Sequence, residues 1–307
     1  MKVIVTGGTG FVGERLCAEL ADRGHEVTAL ARHPDDGDLP NTVNTVMGDV
    51  SAYESIADAF EGQDVAVNLV ALSPLFKPKG NATHDSVHRQ GTENVVRACE
   101  EHDVRKLVQM SALGADSNGP TAYIRSKGQA EEIVRNSSLD WVIFRPSVVF
   151  GDGGEFVTFT KKLSTPVVTG LPGGGKTRFQ PIWIDDLVPL LADAVEDEKH
   201  VGQAYEIGGP EVLTLADVTH LAYEADGKSV KILPIPMAMA KLGLTVAGPI
   251  PFVPFGPDQA RSLQMDNTVT DNDVTAFGVE PDELRTLTDY LGIARDEATA
   301  EPGAAAA

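Results

Sequence analysis

The run Val3-Ile-Val-Thr-Gly-Gly-Thr-Gly-Phe-Val-Gly13 passes from an apolar strand straight into a helix that opens near Phe11, with Gly7, Gly10 and Gly13 in the tight turn between them. A turn of this kind brings bare backbone N–H groups and a helix N-terminus up to an anion, as dinucleotide-binding folds do with a pyrophosphate. Gly7 permits the exit from the strand, Gly10 allows close approach to phosphate, and Gly13 lets the helix pack against the sheet. A glycine triplet alone is a weak signal. Here the strand before it and the helix after it supply the context that the motif requires.

The first half of the chain repeats that alternation. Apolar runs at Val3–Val5, Val27–Leu30, Val43–Val46, Val65–Val70, Lys106–Met110 and Trp141–Phe144 are separated by helical stretches near Phe11–Arg23, Ser51–Phe60, His84–His102 and Thr121–Arg135. Strand and helix in strict turn predict an α/β fold, a doubly wound parallel sheet covered on both faces. After Phe150 glycine and proline become frequent and elements recur less regularly: a helix near Asp185–Glu196, a strand at Ala204–Ile207, a helix from Thr214 and a last helix around Pro281–Tyr290. The expected organisation is a dinucleotide-binding core over residues 1–150, a smaller lobe over 151–294 with elements returning to the core, and a disordered alanine-rich tail over 295–307.

Charge narrows the partners. Forty-five acidic residues against 25 basic leave a net charge of −20, a field that repels nucleic acid and anionic membranes. Carboxylates spread along the whole chain also suit a salt-rich cytoplasm, where self-repulsion is screened. The first residues already form a strand, which leaves no room for a signal peptide, so a soluble cytoplasmic protein is expected. Cys17 and Cys99 lie far apart within apolar-periodic helices and read as small buried hydrophobes in a reducing compartment. One segment, residues 232–256, carries the single charge of Lys241 among prolines and apolar residues. Prolines bracket a helix of about a dozen residues from Pro236, too short to cross a bilayer, and the segment reads as core and pocket cover, or as a docking surface for a membrane or protein partner.

Tyr123 and Lys127 stand four apart on a predicted helix and share a face. A phenol has a reference pKa of about 10, so bringing it near 7 takes roughly 4 kcal/mol from Lys127, a bound cofactor's charge and the site dipoles together. Ser111, ending a strand twelve residues earlier, has a hydroxyl suited to holding a substrate carbonyl while Tyr123 gives or takes a proton. The second strand ends at Arg32 without the Asp or Glu that usually takes the ribose hydroxyls of NAD. A guanidinium there suits a 2′-phosphate, with Arg15 to assist, so NADP is expected, with NAD as the alternative.

Two signals point elsewhere and are set aside. Gly170-Leu-Pro-Gly-Gly-Gly175-Lys176-Thr177 matches the letter of a phosphate-binding P-loop, yet the following Arg178-Phe-Gln-Pro-Ile-Trp reads as extended where a helix is required, so a glycine-rich turn flanking the active site is expected. His84 and His88, at i and i+4, lack a third ligand, so a solvated helix face is expected and no metal is assigned.

Taken together, Thr6-Gly-Gly-Thr-Gly-Phe-Val-Gly13, Gly48-Asp-Val50, Asn68-Leu-Val-Ala71, Ser111, Tyr123-x-x-x-Lys127 and Arg145-Pro-Ser-Val-Val-Phe-Gly151 resemble the short-chain dehydrogenase/reductase superfamily of the extended or atypical kind. The stretch from Leu171 to Asp186 is similar to the subgroup containing the nucleotide-binding accessory subunit of respiratory complex I and its prokaryotic relatives. The resemblance covers about residues 1–295. It implies a nicotinamide cofactor along the strand ends, touching Thr6, Gly7, Gly10, Phe11, Val12, Gly13, Ala71 and Pro146, with Asp49 and Val50 near the adenine and Lys127 on the nicotinamide ribose. The activity it implies is that of an oxidoreductase or nucleotide-sugar epimerase acting on a small molecule through Tyr123, Lys127 and Ser111. The alternative is a non-catalytic NADPH-binding subunit or assembly factor, peripherally associated with a membrane respiratory complex.

Overall fold

The computed structural model describes residues 1–236 and 257–293, less Lys77, Lys79, Pro166 and Leu263. Most of the apolar segment, with its predicted helix from Pro236, and the tail from 295 lie outside the described residues.

Strands are numbered in chain order: β1 (Lys2–Thr6), β2 (Glu26–Ala31), β3 (Asn44–Met47), β4 (Val65–Asn68), β5 (Lys106–Met110), β6 (Asp140–Pro146), β7 (Val149–Phe150), β8 (Val167–Pro172), β9 (Arg178–Phe179), β10 (Ile182–Trp183), β11 (Gln203–Ile207), β12 (Leu213–Thr214) and β13 (Val230–Ile235). Seven of them form one parallel sheet in the order β3-β2-β1-β4-β5-β6-β11. The chain is thus a doubly wound Rossmann fold. Its central strands are apolar throughout, because helices cover both faces: Val3, Ile4 and Val5 are fully buried, as are Val65, Ala66 and Val67. One face packs α1 (Phe11–Asp22) and the other α2 (Gly91–Glu101) and α3 (Ala122–Arg135). The strand order reverses between β1 and β4, and the crevice at their carboxyl ends is where such sheets bind ligands.

The second half of the chain completes the sheet and builds the wall above it. α4 (Glu155–Leu163) precedes β8; α5 (Ile184–Glu196) packs beside α1, and β11 then joins β6. Lys106, fully buried at the start of β5, donates to the carbonyl oxygens of Ala194, Val195 and Asp197 at 3.1–3.2 Å, so its ammonium caps the carboxyl end of α5. α6 (Leu215–Glu224), capped by Thr214, and the parallel pair β8–β13 enclose a smaller core of Phe150, Phe156, Leu171, Phe179, Leu215 and Val218. Two short helices follow, α7 (Pro257–Ser262) and α8 (Leu287–Tyr290).

Some elements differ from expectation. Ser51–Phe60 forms two short 3-10 turns, Tyr53–Ser55 and Ala57–Phe60, in place of an α-helix. The helix expected over His84–His102 begins with a wider π-helical turn at Asp85–Gln90 before becoming regular. The last helix is split, because the extended Leu284 and the cap at Thr286 interrupt it. Among the described residues no helix is long and apolar enough to cross a membrane.

Candidate functional site

A cleft of about 1070 Å³ runs along the carboxyl ends of the strands, from Arg32 past the glycine turn to Tyr123 and on beneath α4. The turn is built by backbone contacts that leave no room for side chains. Gly7 has φ +77°, and a Cβ on Gly13 would sit 2.1 Å from the Gly7 carbonyl oxygen. Gly13 therefore packs against the turn itself more than against the sheet. Gly8, which the sequence motif leaves open, is equally constrained, since a Cβ there would lie 2.6 Å from that of Ala29. Gly10 caps α1 with no side chain on its amides, so the first turn at Phe11, Val12 and Gly13 opens toward the cleft.

Gly7, Gly10, Phe11, Val12, Gly13, Arg32, Asp49, Val50, Ala71, Ser111, Tyr123, Lys127 and Pro146 all line this cleft. Two expected residues do not. Thr6 is fully buried, and its hydroxyl donates to Asn68 Oδ1 at 2.7 Å. Asn68 in turn donates to Gln109 Oε1 and Thr92 Oγ1, so Thr6 belongs to a polar seam beneath the strand ends. Arg15 turns away toward the lobe above, donating to the carbonyl of Asp152 and pairing with Asp185.

Arg32 is exposed at the end of β2 and, among the described residues, makes no ion pair despite the neighbouring acids. Asp49 accepts from the amide and hydroxyl of Ser51, and the Val50 carbonyl accepts from Asn94 at 2.8 Å, which holds this loop against α2. These groups form a cradle whose glycines exclude side chains, with a free guanidinium at one end. A dinucleotide fits this cradle.

At the other end Thr121 caps α3 and presents Tyr123 half-buried in the cleft wall. Its phenol has no hydrogen-bond partner among the described residues, and burial pushes it above its ordinary range. Lys127 is buried and donates to the Met110 carbonyl at 2.8 Å; burial lowers it to about 8, against the opposing pull of Glu131. The polypeptide alone thus leaves the phenol a neutral acid, not one drawn toward 7. Gly128 makes the approach of α3 feasible, since a Cβ there would lie 2.2 Å from the backbone of Asp116.

Ser111 departs from its expected use. Its hydroxyl donates to Glu131 Oε1 at 2.6 Å, and both oxygens of Glu131 are held by Arg145, at 2.8 and 2.6 Å. With its one proton committed, Ser111 can accept a hydrogen bond but has none to offer a carbonyl. The following Ala112, Leu113 and Gly114 line the cleft without a hydroxyl.

His84 and His88 are buried, not solvated. The amide of Leu72 donates to His88 Nε2 at 2.9 Å, so the proton lies on Nδ1, which donates to Ser126 Oγ at 3.0 Å. Burial and the Lys127 charge hold His88 neutral, with its pKa pushed far down. Both imidazoles meet the Tyr123 ring edge to face, at 5.5 and 5.3 Å between centroids. The pair therefore positions the tyrosine and the loop after β4. The i, i+4 spacing was the signal; the missing information was which face of that helix is covered.

The glycine-rich turn at Gly173–Gly175, all with positive φ, packs on α6 and Pro234 and does not line the cleft; the chain continues as β9, not as a helix. A residue without a sequence signal is Asn267, whose side-chain oxygen accepts from Ser147 at 2.7 Å and from the Val148 amide at 3.0 Å, closing the roof of the cleft. Cys17 and Cys99 are free and buried, and burial raises both thiols, Cys17 to about 12.

A family model described as NAD(P)H-binding matches residues 7–168. The chain belongs to this NAD(P)H-binding family, within the extended short-chain dehydrogenase/reductases. Among its relatives, the mitochondrial NADH dehydrogenase (ubiquinone) 1 alpha subcomplex subunit 9 of Arabidopsis thaliana is 28% identical over 294 residues, spanning 87% of this chain and 71% of that protein. The 2-alkyl-3-oxoalkanoate reductase of Stenotrophomonas maltophilia is 28% identical over 258 residues, spanning 74% of this chain and 76% of the reductase. Among solved structures, UDP-glucose 4-epimerase of Thermus thermophilus in complex with NAD superposes with a TM-score of 0.65 at 23% identity, covering 86% and 98% of the two chains. A nucleoside-diphosphate-sugar epimerase of Staphylococcus aureus gives 0.70 at 18% identity, covering 95% and 99%. At these identities the structural likenesses establish the fold.

Proposed function

We propose that the protein is an NADP(H)-dependent oxidoreductase that works as a carbonyl reductase. The observation that carries this reading is the unpartnered Tyr123 phenol, held protonated in the cleft wall one helical turn from Lys127. When bound, the nicotinamide supplies or takes up the two electrons of the reaction as hydride. The amides of the first turn of α1 would hold the pyrophosphate, Arg32 the 2′-phosphate, and Lys127 the ribose beside the reactive ring. Tyr123 then gives its proton to the oxygen of a carbonyl substrate. Its raised pKa suits an acid in the reducing direction better than a base in the oxidising one. Ser111, whose hydroxyl donates to Glu131, takes no part as a donor. A supporting likeness is the Stenotrophomonas maltophilia reductase, whose name describes reduction of a 3-oxo compound.

The test is NADPH oxidation at 340 nm across a panel of aldehydes and ketones. Turnover with at least one of them, slowed about 100-fold or more in Tyr123→Phe, is expected; wild-type protein that holds NADPH but never consumes it contradicts catalysis.

A second reading is a non-catalytic NADPH-binding subunit of a respiratory assembly. The commitment of Ser111 to Glu131 favours it, since it removes one polarising donor, as do the relatives named as subunits of mitochondrial NADH dehydrogenase. Co-purification with a membrane complex and slow NADPH release without consumption would mark this role.

A further inference from the structure

We infer that the arm of the cleft beyond Tyr123 takes an uncharged, apolar carbonyl compound and not a nucleoside diphosphate sugar. The inference rests on the dinucleotide reading above, because that reading assigns the half of the cleft from the glycine turn to Arg32 to the cofactor. What remains is walled by Leu72, Leu75, Phe156, Phe159, Phe179 and Met265. The three phenylalanines are core residues, only 1–6% exposed, so this wall is packed as firmly as the protein interior. Phe156 and Phe179 meet with ring centroids 5.6 Å apart, and Phe159 meets Phe76 edge to face at 5.3 Å.

Charge points the same way. Among the described residues lining the cleft, Arg32 and Lys127 are the only cations. Arg32 lies at the far, cofactor end, and the Lys127 ammonium, which donates to the Met110 carbonyl, is assigned above to the cofactor ribose. The wall of the remaining arm carries the carboxylates Glu155 and Asp266. Arg178, the nearest guanidinium to Asp266, is bound to that carboxylate through two nitrogens at 2.9 and 2.7 Å. A diphosphate entering this arm would meet repulsion and lose its hydration without a compensating cation. Two of the polar groups that a hydroxyl-rich sugar would call on are already engaged: Ser111 donates to Glu131, and the Asn267 carboxamide oxygen accepts from Ser147 and Val148. The phenol of Tyr123, without a hydrogen-bond partner among the described residues, lines the same cleft as this apolar wall. That pattern selects a molecule with one polar atom on an apolar body.

Calorimetric titration of the full-length protein loaded with NADPH tests this, with 2-nonanone and UDP-glucose as probes. The ketone is expected to bind at least tenfold more tightly than UDP-glucose. Met265→Arg, at a half-buried lining position, is expected to weaken the ketone at least tenfold while NADPH affinity stays within twofold; Leu75→Arg, at a second half-buried lining position, serves if that variant does not fold. UDP-glucose binding as tightly as the ketone, or ketone affinity unmoved by a folded arginine variant, overturns the inference while leaving the dinucleotide reading intact. Failure of NADPH to bind before either probe is added overturns the dinucleotide reading itself.

Discussion

Ser111 Oγ lies 2.6 Å from Glu131 Oε1, and this one hydrogen bond turns the hydroxyl at the end of β5 away from the role its position suggests. Arg145 grips both oxygens of Glu131 and fixes the carboxylate in place. Ser111→Ala is therefore expected to act on stability, lowering it by about 1.5–3 kcal/mol as the loss of a buried hydrogen bond to a charged group. Urea unfolding measures that loss, and NADPH titration should give a dissociation constant within twofold of wild type. A large loss of turnover without a loss of stability would return Ser111 to the chemistry.

Arg32 is expected to choose the cofactor. A charge-assisted contact to the 2′-phosphate contributes about 1.5–3 kcal/mol, so Arg32→Ala should weaken NADPH by one to two decades and leave NADH nearly unchanged. Fluorescence titration with both nucleotides reads the difference. Equal effects on the two would make Arg32 a solvated loop residue.

Gly13→Ala is expected to be far worse than Gly10→Ala. The added methyl would lie 2.1 Å from the Gly7 carbonyl oxygen in the first case and 3.1 Å from the same atom in the second. Overpacking of the first kind costs about 1–3 kcal/mol or more and displaces the turn, so thermal unfolding should shift down and NADPH binding should be lost.

His88 makes the fold acid-sensitive. Its folded pKa is depressed far below the ordinary 6.5 by burial, so below about pH 6.5 the unfolded chain binds a proton that the folded one refuses. Stability is then complete above that pH and falls by about 1.4 kcal/mol per pH unit below it. His88→Gln should flatten this acid limb by about one proton's slope, which urea midpoints of the two proteins compared at each pH between about 5.5 and 7 would show. An unchanged slope would mean that His88 is protonated in the folded state.

The dinucleotide cradle was legible in the sequence because its constraint is local: three glycines, an apolar strand and a helix within thirteen residues define a turn whose geometry follows from sterics alone. Tyr123 and Lys127 were legible for the same reason, since four residues on a helix fix a shared face. What depended on distant packing was not. Thr6 and Arg15 sit in the right stretch but face Asn68 and Asp185, partners far away in sequence. Ser111 looked available because nothing in its neighbourhood announces a carboxylate from one turn past Lys127. His84 and His88 read as solvated because helical spacing gives a face and not its covering. Ser51–Phe60, helical by pattern, forms two 3-10 turns before β4.

A dinucleotide held by the glycine turn must bring its nicotinamide to Tyr123 if the cleft is to work as proposed. The chain has 5 tyrosines, so labelling their rings with carbon-13 and recording nuclear Overhauser effects to bound NADPH is tractable. Contact between the nicotinamide C4 hydrogens and one tyrosine ring, lost in Tyr123→Phe, is the expected result. NADPH bound with that ring touching the adenine, or no tyrosine at all, would contradict it.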